Sequence, residues 1–160
     1  EVVENMVLKN DTRGLSIRAH IDGNLPPIML DAGQVRQMLV NLVQNGVDAV
    51  NGSPGEVVIT ARLDPLDSAP EKAEAVKLEV RDTGAGMSPE VLSQLFTPFY
   101  TTKQLGKGTG MGLAIVYGVV KMHAGEISVD SAPGKGTTFI IRFPVAEKPA
   151  AVLIGKGEGE

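Results

Sequence analysis

Apolar and polar residues alternate from Leu15 to Ile21, which predicts a half-buried strand. Pro26-Pro27 interrupts the chain, and Ile28 to Leu30 then predicts a short second strand. Asp31 followed three residues later by Gln34 resembles a capping box and predicts a helix that runs to about Val50.

The rest of the chain continues this mixture of strands and helices. Phe96 to Gly110 has no usable period and predicts a mobile loop. No regular alternation of strand and helix occurs, so we predict an α+β fold, a two-layer sandwich with a mixed, mostly antiparallel sheet covered on one face by helices. The remaining predicted elements are strands at Val57 to Leu63 and Val76 to Val80, a short helix capped by Ser88 with Pro89 at its first position, a helix from Gly112 to His123 closed by Gly125, and a hairpin that pairs Ile127 and Val129 with Phe139, Ile141 and Phe143.

Composition narrows the class of protein. The chain has 160 residues, 42% of them hydrophobic, and no cysteine, so we expect one globular domain without disulfides or thiolate metal sites. A net charge of −4 and 4% aromatics exclude a general nucleic-acid-binding surface, and no apolar run is long enough to cross a membrane.

We predict the end of an upstream helix at 1–14, one domain at 15–145 and a linker or tail at 146–160.

The helix that follows Asp31 carries an unusual polar face. A solvated face is ordinarily Lys and Glu, and Asn within a helix costs stability because it competes for backbone hydrogen bonds. Neutral amide oxygens suit a hard cation that phosphates already carry, although a merely polar surface explains the face equally well. The residues that share this face are Gln34, Gln37, Asn41, Gln44, Asn45 and Asp48.

Two glycine-rich segments follow, and ten of the 19 glycines lie between Gly84 and Gly136. Asp82-Thr-Gly84-Ala-Gly86 ends a predicted strand, where a carboxylate can accept a hydrogen bond from an amino group. Gly106 to Gly112 opens a predicted helix, whose free backbone N–H groups suit phosphate. Neither segment has the spacing of a P-loop or of a dinucleotide fingerprint.

Together these segments resemble a known family. Asn41-Leu-Val-Gln-Asn45, the Asp82 segment, Phe96-Thr-Pro-Phe99, Gly108-Thr-Gly110-Met-Gly112-Leu and Gly136-Thr137 follow one another as in the catalytic ATP-binding domains of bacterial sensor histidine kinases. That family belongs to the group shared with gyrase, the Hsp90 chaperones and the MutL repair proteins. The resemblance covers about residues 15 to 145.

The resemblance implies a site for ATP and Mg²⁺. Asn45 would hold the Mg²⁺ bound to the phosphates, with Asn41 beside it, and Asp82 would accept from the adenine amine. Lys103 would reach the terminal phosphate as a point charge. Phe96 and Phe99 would anchor a lid that runs to Gly108. The other residues that the resemblance places in the nucleotide site are Gly84, Gly86, Met87, Gly108, Thr109, Gly110, Met111, Gly112, Leu113 and Thr137.

Four positions depart from the family pattern. Asp48 stands where many relatives carry Lys, which removes one phosphate contact, and Gly46 and Met111 replace the commoner Ala and Leu. Asn41 stands where the hydrolysing relatives resemble one another in carrying a Glu that activates water. Its absence favours phosphoryl transfer over hydrolysis.

The function that the resemblance implies is transfer of the γ-phosphoryl group to a histidine on a separate dimerisation domain. Neither His20 nor His123 lies in a phosphoacceptor motif, so we expect that domain upstream of Glu1. We also expect a response regulator or receiver domain as partner, a cytoplasmic location, a monomeric fragment and a dimeric full-length kinase. The alternatives are a nucleotide-binding regulatory module without kinase activity and a hydrolysing ATPase.

Overall fold

The computed structural model describes residues 14–50, 54–65, 74–103, 108 and 110–145. The predicted helix end at 1–14, apart from Gly14, and the predicted tail at 146–160 lie outside these residues. Thr109 and residues 104–107 of the predicted loop lie outside them as well.

The described residues form a five-stranded sheet in the order β1-β2-β3-β5-β4. The β1 and β2 strands are parallel, and every other neighbouring pair is antiparallel. This arrangement confirms the predicted mixed, mostly antiparallel sheet. The strands are β1 (Leu15–Ile21), β2 (Gly55–Pro65), β3 (Glu74–Asp82), β4 (Glu126–Ser131) and β5 (Thr137–Pro144).

Helices α1 (Ala32–Val50), α2 (Pro89–Gln94) and α3 (Gly112–Met122) accompany the sheet. The α1 helix packs on β2, β3 and α3, which places two helices over one face of the sheet. No helix among the described residues is both long and apolar enough to cross a membrane. Apolar side chains of α1, α3 and the sheet make one core, whose fully buried members include Met38, Leu42, Val43, Val57, Val116, Val120 and Ile141.

The start of α1 is tied to the end of α3. The carboxylate Oδ1 of Asp31 accepts from the N–H of Gln34 at 2.9 Å, which confirms the predicted cap. The N–H of Asp31 donates to Nε2 of His123 at 3.0 Å, while Nδ1 of His123 lies 2.7 Å from the carbonyl of Val119. Through its two ring nitrogens His123 therefore connects the start of α1 with the end of α3.

One local prediction is wrong, and another is right only in part. Ile28 to Leu30 form no strand; Ile28 and Leu30 instead lie against the core while their backbone stays outside the sheet. The residue that reverses the chain after α3 is Ala124, with φ of +53°, and Gly125 follows it with an N–H that bonds the carbonyl of Val120. Space at Gly125 is tight, since a Cβ there would lie 3.0 Å from the Arg142 carbonyl oxygen.

Candidate functional site

A cavity of about 640 Å³ lies between α1, the turn after β3 and the beginning of α3. Most of the predicted site residues line it, although they come from five separate segments. Gly84, Phe96, Phe99 and Met111 do not line it, and Thr109 lies outside the described residues. The predicted residues that do are Asn41, Asn45, Asp82, Gly86, Met87, Lys103, Gly108, Gly110, Gly112, Leu113 and Thr137.

The two asparagines of α1 differ in their partners. The amide of Asn41 accepts from Gln37 at 3.0 Å and donates to the carbonyl of Gly112 at 3.2 Å. Asn41 therefore joins α1 to the first residue of α3. Asn45 lies one turn further along the cavity wall, and no hydrogen bond within the described part of the chain engages its side chain. Asn45 is thus the amide that a ligand can use.

Asp82 supplies a buried carboxylate to the cavity wall. It is the last residue of β3 and only 6% exposed. Burial raises the pKa of Asp82, and hydrogen bonds from the backbone N–H groups of Gly84 and Thr137 partly oppose that rise. The Gly84 bond measures 2.8 Å. An acceptor held in this way suits an amino group that arrives from the cavity.

The turn after Asp82 fits against the β4–β5 turn so closely that two glycines have no space for a Cβ. Gly86 has φ of +69°, and a Cβ there would lie 1.9 Å from the Ala132 carbonyl oxygen. A Cβ on Gly136, whose φ is +71°, would lie 2.1 Å from the carbonyl oxygen of Asp82. The glycines are therefore required by close backbone approach, which sets the position of Asp82 and Thr137.

Gly84 supports the same turn from behind. A Cβ at this position would meet the backbone of Ala49 at 2.6 Å, and the N–H of Ala85 donates to the Ala49 carbonyl at 3.3 Å. Gly84 thus allows the turn to lie against α1, although it does not face the cavity.

Lys103 brings a positive charge to the cavity wall beside Asp48. Its Nζ pairs with Oδ2 of Asp48, whose Oδ1 accepts from Nε2 of Gln44 at 2.8 Å. The lysine stem lies against Gly108, where a Cβ would be 2.8 Å from the lysine Cδ. Asp48 thus neutralises a lysine that comes from the loop, and both side chains remain about one third exposed.

The two phenylalanines of the loop behave differently. Phe96 packs against the core, and its ring centroid lies 5.3 Å from that of Tyr117. The ring of Phe99 is 77% exposed. Its backbone contacts the beginning of the next segment: the N–H of Phe99 donates to the carbonyl of Gly110 at 2.8 Å, and a Cβ on Gly110 would lie 2.3 Å from the Phe99 carbonyl carbon.

Sequence reasoning did not assign several cavity residues to the site. Gln44 and Asp48 lie on the predicted polar face of α1, so their helical spacing with Asn41 and Asn45 could have indicated that they line the same cavity. The others contribute apolar surface or belong to the loop, and no motif marks them. They are Ala49, Ala85, Val91, Leu95, Tyr100, Thr101, Thr102 and Phe139.

The match that decides the family covers most of the chain. The family described as histidine kinase-, DNA gyrase B- and HSP90-like ATPases matches residues 30–147. The chain belongs to this family. Its domain is the catalytic ATP-binding domain of the sensor histidine kinases, as the resemblance implied.

Curated relatives and solved structures agree with this assignment. The chain is 42% identical over 148 residues to the sensor kinase CckA of Brucella abortus, covering 86% of this chain and 16% of that protein. It is 37% identical over 135 residues to the sensor histidine kinase ZraS of Escherichia coli K12, covering 84% and 27%. The chain therefore spans about a quarter or less of the length of these relatives.

The structural relatives include one with a nucleotide analogue. Full-length ShkA in complex with AMPPNP superimposes with a TM-score of 0.74 at 31% identity, covering 93% of this chain and 29% of ShkA. The catalytic domain of the histidine kinase ThkA superimposes with a TM-score of 0.72 at 28% identity, covering 89% and 87%. The predicted fold class is thereby confirmed.

Proposed function

We propose that this chain binds Mg·ATP and donates the γ-phosphoryl group to a histidine on a separate helical dimerisation domain. The observation that carries the proposal is the arrangement of one cavity. Its wall carries a buried carboxylate acceptor, an amide without a partner among the described residues, and a lysine ammonium. This combination of groups suits a ligand with an amino-bearing base and an anionic tail.

The base end belongs to Asp82 and Thr137, and the triphosphate belongs at the start of α3. Backbone N–H groups at the beginning of that 11-residue helix favour anions. Asn45 is the residue that fits a cation carried by the phosphates, because its amide oxygen is neutral and unengaged by described residues. When bound, Mg²⁺ supplies charge neutralisation at the phosphates.

Two features favour transfer over hydrolysis. The position of the water-activating Glu is held by Asn41, whose amide is committed to Gln37 and Gly112. Neither histidine lies close to the cavity region proposed for the phosphates. His20 is on β1, which contributes no residue to the cavity lining. His123 is 11 residues from Gly112 in the direction of α3, about 16 Å at 1.5 Å per residue. We therefore place the acceptor histidine on another segment, with a receiver domain or response regulator next, all in the cytoplasm.

The experiment uses γ-labelled ATP. The chain alone should bind ATP without becoming labelled, and addition of the helical acceptor domain from the longer protein should yield acid-labile label on that domain. The Asp82→Asn variant serves as the control for transfer that depends on this cavity. Steady phosphate release by the chain alone would indicate a hydrolysing ATPase, and binding without any transfer would indicate a regulatory module.

The role of Asn45 has its own measurement. The Asn45→Ala variant should lose affinity for ATP in the presence of Mg²⁺ and keep its affinity for adenosine, because the side chain acts through the cation. Equal losses for both ligands would make Asn45 a structural residue only.

A further inference from the structure

Ser131, the last residue of β4, makes three contacts at the base end of the cavity. Its Oγ accepts from the N–H of Met87 at 2.9 Å. The same Oγ lies 2.9 Å from the carbonyl oxygen of Gly136 and 2.9 Å from Oγ1 of Thr137. One half-buried hydroxyl thus joins the turn after β3 to the β4–β5 turn.

The single hydroxyl hydrogen of Ser131 determines which group donates in each of its three contacts. A serine hydroxyl has one hydrogen and two lone pairs. A carbonyl oxygen can only accept, so the Ser131 hydrogen goes to Gly136, and the N–H of Met87 occupies one lone pair. The remaining contact is then satisfied only when the Thr137 hydroxyl donates to Ser131 Oγ. The hydroxyl hydrogen of Thr137 is thereby committed, and Oγ1 retains only acceptor capacity.

This orientation bears on which base the cavity selects. Thr137 lines the cavity and is the direct register partner of Asp82, whose ionised carboxylate can also only accept. We propose that Ser131 is a positioning residue that makes the base end of the cavity an acceptor-only surface, and so selects a purine with an exocyclic 6-amino group over one with a 6-oxo group. This inference rests on the proposed function.

Calorimetric titration of wild type and Ser131→Ala with ATP and inosine triphosphate tests the proposal. These ligands carry the same triphosphate but differ at the 6-position of the base. In Ser131→Ala the Thr137 hydroxyl can rotate and donate to a 6-oxo group, so the preference for ATP over inosine triphosphate should fall about three- to tenfold. Ser128→Ala is the matched control, because Ser128 lies on the same strand and is exposed.

A double-variant comparison separates positioning from a general structural role. In a Thr137→Val background, Ser131→Ala should leave the ratio of the two affinities unchanged, since the hydroxyl it orients is gone. Equal losses for ATP and inosine triphosphate in Ser131→Ala would overturn the proposal and reduce Ser131 to a structural clamp.

If Ser131→Ala does not fold, as judged by thermal unfolding, Thr137→Val alone carries the test. It should weaken ATP binding while leaving inosine triphosphate binding unchanged, and an unchanged ratio overturns the inference. A wild-type chain that binds neither ligand would instead refute the proposed function.

Discussion

The regions of the cavity that we propose for the base and for the phosphates, here called the base end and the phosphate end, are built from different parts of the chain. At the base end, backbone meets backbone: Gly86 approaches Ala132 and Gly136 approaches Asp82 so closely that neither glycine has space for a Cβ. At the phosphate end, an ion pair between the side chains of Lys103 and Asp48 makes a polar contact. Close backbone packing therefore fixes the groups of the base end, whereas a partly exposed ion pair positions the side chains of the phosphate end.

This difference predicts different responses to a ligand. Groups fixed by backbone packing are already in place when a base arrives, so little reorganisation is needed. A partly exposed ion pair is weakly held, and an incoming triphosphate competes with Asp48 for the ammonium of Lys103. We expect base recognition to be preorganised and phosphate recognition to be adjustable.

Gly86→Ala should have the largest effect on the base end. The added Cβ would lie 1.9 Å from a backbone oxygen at a residue with φ of +69°, so the turn must move. We expect a loss of about 3 kcal/mol or more in the free energy of unfolding, together with loss of ATP binding. Chemical denaturation and calorimetric titration measure the two effects.

Gly134→Ala is the matched control for that substitution. Its φ is +76°, but a Cβ added there would meet nothing within 4 Å. It should cost roughly 1–2 kcal/mol from backbone strain alone and leave ATP affinity nearly unchanged. If both variants behaved alike, close approach would not be what holds the base end.

Asp82→Asn should come next, with opposite effects on binding and stability. Losing a charged acceptor should weaken ATP binding roughly ten- to a hundredfold. Because burial raises the pKa of Asp82, its ionised form is less favourable in the folded than in the unfolded chain, and the amide removes that cost. The melting temperature at neutral pH should therefore not fall, and a large drop would show that the carboxylate is structural.

The pH dependence of binding follows from the same carboxyl group. ATP affinity should decline as the pH falls through the raised pKa of Asp82, starting above the range of an ordinary aspartate. The stability contribution has the other sign: protonated Asp82 favours the folded chain, so that contribution is lost as the pH rises from the ordinary aspartate value through the raised one. Asp82→Asn should remove both dependences, and titrations of both proteins across this range test them.

Periodicity predicted most helices and strands correctly, and it failed in the connection before α1. The polar face of α1 and its cap at Asp31 follow from local spacing, and both agree with the structure. The strand predicted at Ile28 to Leu30 is absent. Ile28 and Leu30 pack against the core, but the backbone of this segment pairs with no strand of the sheet. A β-branched or aliphatic run indicates burial, and it does not by itself indicate sheet hydrogen bonds.

The site, like the fold, was predictable in part. The motifs predicted that Asn45, Asp82 and Gly112 belong to one site, and all three line the same cavity. The Lys103–Asp48 pair joins residues 55 positions apart, and the contacts of Ser131 with Met87 depend on how two turns meet. Such contacts are set by tertiary packing, which no local pattern encodes.

The smallest effects should come from the Lys103–Asp48 pair, and they test whether the phosphate end is adjustable. Lys103→Ala should weaken ATP binding about two- to fivefold because a partly exposed charge contributes little.

Asp48→Asn should strengthen ATP binding by a similar factor. It removes an anion near the proposed phosphate site, and Asp48 then no longer competes with the phosphates for the ammonium of Lys103. Adenosine has no phosphates, so both variants should bind it as wild type does. Calorimetry with ATP and adenosine distinguishes these cases, and a change in adenosine affinity as large as that for ATP would show that the two ends of the cavity are coupled.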